Sequence, residues 1–136
     1  MESHKNTLRG ILTVIIIALS SYGTFAQSQT AANIQAGSSY EKADRELNLV
    51  YKQILIDYAK QPLFIKKFKI AQRLWVQLRN AELGAKFPET GSYGSAQPMC
   101  KSGYLEQLTR ERTKFLRVWL TGIQEGDVCS GSVKTK

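Results

Sequence analysis

Apolar residues recur at steps of three and four along three stretches of this chain, the spacing of amphipathic helices. The first stretch predicts a helix from about residue 39 to 60, and Ser38 with Glu41 has the S-x-x-E spacing of a capping box at its start. Pro62 interrupts the pattern, because the residue before a proline avoids helical angles. The apolar positions of this helix are Tyr40, Ala43, Leu47, Val50, Tyr51, Ile54, Leu55 and Tyr58.

Two further helices follow this break. The second ends near Gly84, a natural left-handed stop, and a loop rich in proline, glycine and serine follows at Ala85–Pro98. The third takes up the apolar pattern at Tyr104 and ends near Gly122. No stretch alternates with a period of two over a convincing length. The sequence therefore predicts an all-α fold, an antiparallel three-helix bundle over residues 38–122 with a long loop between helices two and three.

The segments on either side of this predicted domain lack helical periodicity. Residues 27–37 (QSQTAANIQAG) are small and polar, which predicts a flexible leader. Residues 123–136 are polar as well, and we predict a disordered tail apart from whatever Cys129 ties down.

The first 26 residues have the three-part pattern of a secretory signal peptide. Lys5 and Arg9 form a positive start, Gly10–Leu19 is an apolar run, and Thr24 and Ala26 are small residues at −3 and −1 of a cut after Ala26. A membrane-spanning helix needs about 20 apolar residues, so this run is too short for a convincing anchor. The pattern predicts a periplasmic or secreted protein that does not span a membrane.

Cleavage at this point changes the chemistry that the chain can carry. It leaves 17 of the 19 basic and 10 of the 11 acidic side chains, a net charge of +7, and it removes His4, the only histidine. The mature chain then lacks a histidine base, a histidine-activated nucleophile and a histidine-ligated metal. We therefore predict no enzyme, no metal and no cofactor. The weakest alternative is an enzyme that uses a carboxylate pair, such as Glu41 with Asp44, for acid–base chemistry. Such pairs are common on solvated helix surfaces.

Export also decides how the two cysteines are interpreted. In an oxidising compartment, Cys100 and Cys129 are expected to form a disulfide. Closing this interval would stabilise the fold by about 3 to 4 kcal/mol in the loop-entropy model. A free or catalytic thiol is the alternative, but neither cysteine lies in a C-x-x-C motif or beside a histidine.

Each predicted helix brings polar residues to the edge of its apolar face. One interpretation is a half-buried, hydrogen-bonded network that fixes the register of the helices, since an unpaired buried charge is costly. The other is a polar site that opens toward a partner. The residues of these rows are Asp44 and Asn48 on helix one, Gln72, Arg79 and Glu82 on helix two, and Thr109 and Arg112 on helix three.

The same rows carry a signature in three ordered parts. Tyr40–Asn48 followed by Tyr51 is similar to "aD..LN..Y", Ala71–Trp75 with Arg79–Glu82 is similar to "aQ..W...RdaeC", and Cys100 with Leu108, Thr109 and Arg112 is similar to "C...lT..R". Together with Gly91-Ser92 in the loop, the chain resembles the LprI-like lysozyme-inhibitor family of small exported bacterial proteins over about residues 38–116. The resemblance implies a helical, disulfide-supported periplasmic or secreted protein, with lysozyme inhibition assigned to some members.

Two positions depart from the family pattern. Asn80 stands where the family usually has Asp, and Leu83 stands where it has Cys. A further family cysteine before helix one is absent as well. If the two missing cysteines pair with each other in the family, the resemblance implies that Cys100 forms a disulfide with Cys129.

The first functional hypothesis is a binding protein that blocks a muramidase or a related wall-active enzyme. The loop between Phe87 and Gln97 is the candidate contact, with Tyr93 as a rigid anchor and Ser92 and Ser95 as hydrogen-bonding groups. An ordinary connection between helices is the alternative for this loop. A charge of +7 would repel a cationic animal lysozyme, so a less basic lysozyme or a bacterial wall enzyme suits the sign better.

The second hypothesis is an envelope-associated protein that holds an anionic wall polymer or lipid on a basic surface. Solvated charged faces are the ordinary explanation for such clusters. Nucleic acid is an unsuitable partner because the protein is predicted to be exported. The basic residues are Lys60, Lys66, Lys67, Lys69 and Arg73 around the start of helix two, and Arg110, Arg112, Lys114 and Arg117 on helix three.

Overall fold

The computed structural model describes residues 27–136 in full and only the backbone of residues 2–26. The helices are α1 (Glu2–Asp57), α2 (Pro62–Lys86) and α3 (Gln97–Thr121). Over this part of the chain the only strand-like feature is an isolated bridge between Ile123 and Thr135. The all-α prediction is therefore confirmed, whereas the predicted signal peptide lies outside the fully described residues.

Consecutive helices run antiparallel, and α1 and α3 run parallel to each other. The packing of α3 along α1 is the closest of the bundle. Helix α3 buries Thr109 and Thr113, whose short side chains allow two helices to approach closely. Helix α2 instead turns bulky rings such as Phe68 and Trp75 toward the interior, which hold its axis farther away.

The apolar core follows the predicted stripes. Ile54 and Leu116 are fully buried, and each such side chain contributes about 1.5 to 3 kcal/mol when removed from water. An aromatic layer lies where α1 turns into α2, with ring centroids 4.6 Å apart for Tyr58 and Phe64 and 5.2 Å apart for Phe64 and Phe68. The buried core consists of Leu47, Val50, Ile54, Tyr58, Phe68 and Leu116.

The end of α2 and the start of α3 differ from the sequence prediction, and prolines explain both differences. Helix α2 continues past Gly84 to Lys86 and stops at Phe87, the residue before Pro88. Helix α3 begins at Gln97, well before Tyr104, because a proline in the first turn is compatible with a helix start. The connecting loop therefore covers residues 87–96.

The predicted flexible leader at residues 27–37 is helical in the structure and belongs to α1. The Ser38–Glu41 capping box is therefore wrong, since α1 does not begin there. A side chain of this segment, Asn33, is hydrogen-bonded to the loop between α2 and α3. The local composition suggested a leader because it carries no information about this contact between residues far apart in sequence.

The tail at residues 123–136 folds back on the bundle, where the sequence predicted disorder. The backbone N–H of Ile123 donates to the Lys134 carbonyl at 3.0 Å, and the Lys134 N–H donates to the Tyr58 hydroxyl at 3.2 Å. Gly122 permits this approach: its φ is +77°, and a Cβ at this position would lie 2.8 Å from the Lys134 carbonyl oxygen.

The predicted disulfide is not formed in the structure, because Cys100 and Cys129 are both free and exposed. Cys100 lies in the first turn of α3, whereas the tail that carries Cys129 contacts the other end of this helix through Trp119. Helix α3 is about 37 Å long, and a disulfide needs Cα atoms within about 7 Å. The pairing stays a prediction, and it would require the tail to leave this position.

Candidate functional site

A buried arginine joins the three helices. The Nη1 group of Arg79 donates to Asp44 Oδ1 and to Thr109 Oγ1, both at 3.2 Å. Asp44 in turn accepts a hydrogen bond from Asn48 Nδ2 on its Oδ2 atom, at 3.0 Å. The Arg79 side chain is 9% exposed and that of Asp44 is 38% exposed, so this ion pair lies at the edge of the interior. An ion pair in this position fixes the register of α1, α2 and α3 against one another.

Aromatic rings surround the same guanidinium. Its central carbon lies 5.1 Å from the ring centroid of Trp75 and 5.7 Å from that of Tyr40. The buried Nε of Arg79 has no hydrogen-bond partner among residues 27–136. Leaving such a donor unpaired costs about 1 to 3 kcal/mol, which contacts with the two ring faces offset in part.

A second arginine extends the cluster toward the surface. Arg112 Nε donates to Gln72 Oε1 at 3.0 Å, and its guanidinium carbon lies 5.6 Å from the Trp75 centroid and 5.3 Å from the Phe115 centroid. Burial lowers the pKa of Arg112 below its ordinary value, because the charged form loses hydration. No carboxylate within the described chain forms an ion pair with it, so its partners there are an amide and two rings.

The structure thus brings together six of the seven predicted network residues in two connected groups, which share the Trp75 ring. Glu82 is the exception: it is half-buried and makes no hydrogen bond or ion pair within residues 27–136. We call the assembly the polar cluster, and its residues are Asp44, Asn48, Gln72, Trp75, Arg79, Thr109 and Arg112.

The three predicted contact residues lie on the 87–96 loop. Ser92, Tyr93 and Ser95 are all exposed, and 40% of Tyr93 is accessible. The Tyr93 ring packs edge-on against Phe87, with centroids 5.4 Å apart. This contact holds an exposed aromatic side chain in one orientation, which lowers the entropy cost of using it in binding.

Asn33 of α1 fastens this loop to the bundle. Its Nδ2 donates to the Ser95 carbonyl at 3.0 Å, and its Oδ1 accepts from the Met99 backbone N–H at 3.1 Å. Gln29, one turn earlier, donates to the same Oδ1 at 3.2 Å. The sequence analysis missed Asn33, and the four-residue spacing of Gln29 and Asn33 was the signal for a helix in this segment.

Two lysines flank the base of the loop. Lys86 Nζ lies 4.0 Å from the ring centroid of Tyr104, and Lys101 Nζ lies 5.9 Å from that of Phe87. Such cation–π contacts hold the ammonium groups near the loop while leaving them charged. Two ammonium groups therefore lie at the base of the loop that carries Tyr93, and the loop itself carries the exposed carboxylate of Glu89.

Neither a metal centre nor a membrane span is found where side chains are described. No group of three His, Cys, Asp or Glu side chains in residues 27–136 lies close enough to hold a metal ion. Within that range no helix is sufficiently long and apolar to cross a bilayer.

Comparison with known proteins shows which family the chain belongs to. The family model described as "Lysozyme inhibitor LprI" matches residues 23–116, which is more than half of the chain. The chain belongs to the LprI family. An uncharacterised protein of Rhizobium meliloti (strain 1021) is 36% identical over 105 residues, covering 68% of this chain and 73% of that relative. No solved structure matches the chain.

The LprI match covers the whole polar cluster and the 87–96 loop. It also begins before residue 27, so it includes the segment around Asn33. All three parts of the LprI-like signature contribute side chains to the polar cluster: Asp44 from the first, Arg79 from the second and Thr109 from the third. In this LprI chain the signature residues therefore build the junction of the helices.

Proposed function

We propose that this LprI-family protein is an exported binding protein that blocks a muramidase or a related cell-wall enzyme by protein–protein contact. Membership of a family described as lysozyme inhibitors supports inhibition over catalysis. The 87–96 loop is the proposed contact. The observation that carries this assignment is Tyr93, an exposed aromatic residue on a loop that Asn33 and Phe87 hold in place.

Such a loop suits a polysaccharide-cleaving cleft in shape and charge. Muramidases cleave glycosidic bonds, and enzymes of this chemistry use two carboxyl groups on either side of the bond. Tyr93 would fill a sugar-binding position, Ser92 and Ser95 would replace hydrogen bonds of the substrate, and Lys86 and Lys101 would face the carboxylates. Because the Asn33–Ser95 hydrogen bond and the Phe87–Tyr93 contact already restrain the loop, less conformational entropy is lost on binding.

The net charge of the mature chain limits the surface charge that the target enzyme can have. A mature chain of net charge +7 is repelled at long range by a strongly cationic lysozyme, and this repulsion slows association at low salt. We therefore propose a target whose surface around the cleft is neutral or acidic.

Export is part of the same proposal. The first 26 residues have the pattern of a signal peptide, and cleavage after Ala26 would leave Gln27 as the first residue. Mass spectrometry of the protein from the periplasm or culture fluid of the producing bacterium tests this. A mass that corresponds to an intact amino terminus, found in the cytosol, would contradict it.

Inhibition kinetics test the contact. Protein isolated from the producing bacterium would be titrated against a cationic animal lysozyme and against a muramidase of acidic surface, at low and moderate salt. We expect stoichiometric inhibition of the acidic enzyme, and Tyr93→Ala is expected to raise the inhibition constant at least tenfold, since buried aromatic anchors are worth about 2 kcal/mol or more.

Leu49→Ala is the matched control for Tyr93→Ala. Leu49 is an exposed apolar side chain, 69% accessible, and it lies sixteen residues along α1 from Asn33, or about 24 Å. It should leave the inhibition constant unchanged. Full activity of every muramidase at saturating protein would disprove inhibition, and equal effects of the two variants would disprove the loop as the contact.

A further inference from the structure

We infer that the outward face of α2 docks on the surface of an anionic phospholipid bilayer. An amphipathic helix of a bundle normally places polar residues opposite its buried face. On α2 the buried residues are Phe68, Gln72 and Arg79, and a stripe of exposed apolar side chains runs along the opposite face, together with Gln77 and Lys67. Its side chains are Leu63 (66% exposed), Ile70 (41%), Leu74 (54%) and Leu78 (55%), spaced by seven, four and four residues.

Basic residues lie within this apolar stripe and along one side of it. At 100° per residue, Lys67 lies within the stripe, between the positions of Leu74 and Leu78. Lys66 and Arg73 lie along the edge next to Ile70, and Lys69 lies farther round the helix on that side. All four are exposed, and none forms an ion pair with a carboxylate of residues 27–136. Over its first twenty positions, α2 contains no Asp or Glu.

Three arginines of the other helices form ion pairs. Arg45 pairs with Glu41, Arg110 with Glu106 at 2.8 Å, and Arg117 with Glu46 at 2.6 Å. The exposed basic side chains Lys66, Lys67, Lys69 and Arg73 of α2 have no such partner within residues 27–136, and they share the helix with the exposed leucines.

An anionic bilayer surface satisfies both features at once. A helix of this kind lies in the plane of the interface, with leucine side chains among the acyl chains and lysines at the headgroups. An apolar groove of about 570 Å³ continues the stripe at Leu63, Lys67 and Ala71, next to Phe64 and Phe68, and it can take an inserted acyl chain. A second copy of the chain fits less well, because a two-fold contact through this face would place lysines against lysines.

Vesicle flotation tests the inference. Protein isolated from the producing bacterium would be mixed with vesicles of phosphatidylglycerol and phosphatidylcholine in equal amounts, and with phosphatidylcholine vesicles, at about 0.1 M salt. We expect flotation with the first kind only. Lys66→Gln, Lys67→Gln and Lys69→Gln combined should weaken partitioning roughly 100-fold, and Ile70→Gln with Leu74→Gln at least about tenfold.

Matched controls come from exposed residues on the other helices. Leu49→Gln with Ile56→Gln removes two apolar side chains that are more exposed, at 69% and 67%, than Ile70 and Leu74, and Lys42→Gln, Lys52→Gln and Lys114→Gln combined remove three exposed lysines. These variants should float like the wild-type protein. Circular dichroism spectra that match the wild type establish that every variant is folded.

Three results would overturn the inference. The first is no flotation with the anionic vesicles, and the second is equal weakening by the α2 variants and their controls. The third is self-association in sedimentation velocity that the α2 variants abolish, which would assign the face to a second copy. Muramidase inhibition, measured on the same variants, should stay unchanged; its loss without any flotation would assign the face to a protein partner.

Discussion

The polar cluster uses its functional groups inside the molecule, whereas the 87–96 loop exposes its functional groups to solvent. In the polar cluster, Arg79 is buried and its charge is used inside the molecule, by Asp44, Thr109 and two aromatic rings. In the loop, Tyr93 is exposed, and only the base of the loop is held by contacts with the bundle. The first region has few groups left to offer a partner, whereas the second offers an aromatic ring and two hydroxyls.

This difference separates what the family signature describes from what a partner would contact. The signature residues Asp44, Arg79 and Thr109 set the positions of three helices, and through them the ends of α2 and α3 between which the loop is suspended. Changes in the polar cluster should therefore act mainly on stability. Changes in the loop should act mainly on binding.

The largest effect is expected for Arg79→Ala. Removing this side chain leaves Asp44 and Thr109 without their partner and empties the space between Trp75 and Tyr40, so we expect the free energy of unfolding to fall by about 3 kcal/mol. Urea denaturation followed by circular dichroism measures it. The control is Arg45→Ala, whose exposed pair with Glu41 should be worth less than about 1 kcal/mol. Equal losses for the two variants would show that the polar cluster has no special weight.

A smaller effect is expected for Thr109→Val, which keeps the shape of the side chain and removes the hydroxyl that accepts from Arg79. The expected loss is about 1 to 2 kcal/mol in the free energy of unfolding. Thr113→Val is the control, because the buried Thr113 hydroxyl donates only to the Thr109 carbonyl of its own helix. A larger loss for Thr113→Val, in the same urea titration, would contradict the assigned role of Thr109.

Asn33→Ala tests how the 87–96 loop is held against the bundle. It removes one hydrogen bond to the Ser95 carbonyl of the loop and one from the Met99 N–H in the first turn of α3, and we expect a loss of about 1 kcal/mol in stability. The loop itself should change more: amide hydrogen exchange at residues 87–96 should become faster while exchange in α3 beyond its first turn stays the same. Gln29→Ala, which removes only the contact to Asn33, is the control. Unchanged exchange in the loop would show that Asn33 does not hold it.

The smallest effect is a pH dependence at Tyr51, which stacks on Phe68 and packs against the apolar core. Burial raises the pKa of Tyr51. Because the folded state then holds the phenol proton more tightly than the unfolded chain, the contribution of Tyr51 is complete below about pH 10 and is lost as the pH rises above it. Unfolding free energies from about pH 8 to 11 should fall more steeply for the wild type than for Tyr51→Phe. Parallel curves would refute this role.

Much of the fold and of the polar cluster could be predicted from local spacing. Helical periodicity identified α2 and the later part of α1, and the rows beside the apolar stripes contained Asp44, Arg79 and Thr109 before any contact was known. Whether these rows were a network or an open site was not decided by spacing, because spacing within one helix does not state how deeply the next helix covers it. The outward leucines of α2 were missed for the same reason.

The sequence by itself determined the helical class of this protein and the polar rows beside its apolar stripes, since these depend on side chains three or four positions apart. Its ordered motifs carried the resemblance to the LprI family. Only the tertiary structure decided that residues 27–37 extend α1 and that the tail returns to Tyr58. Those outcomes depend on hydrogen bonds between residues more than sixty positions apart, Asn33 with Ser95 and Tyr58 with Lys134, whose strength comes from geometry that the folded bundle supplies.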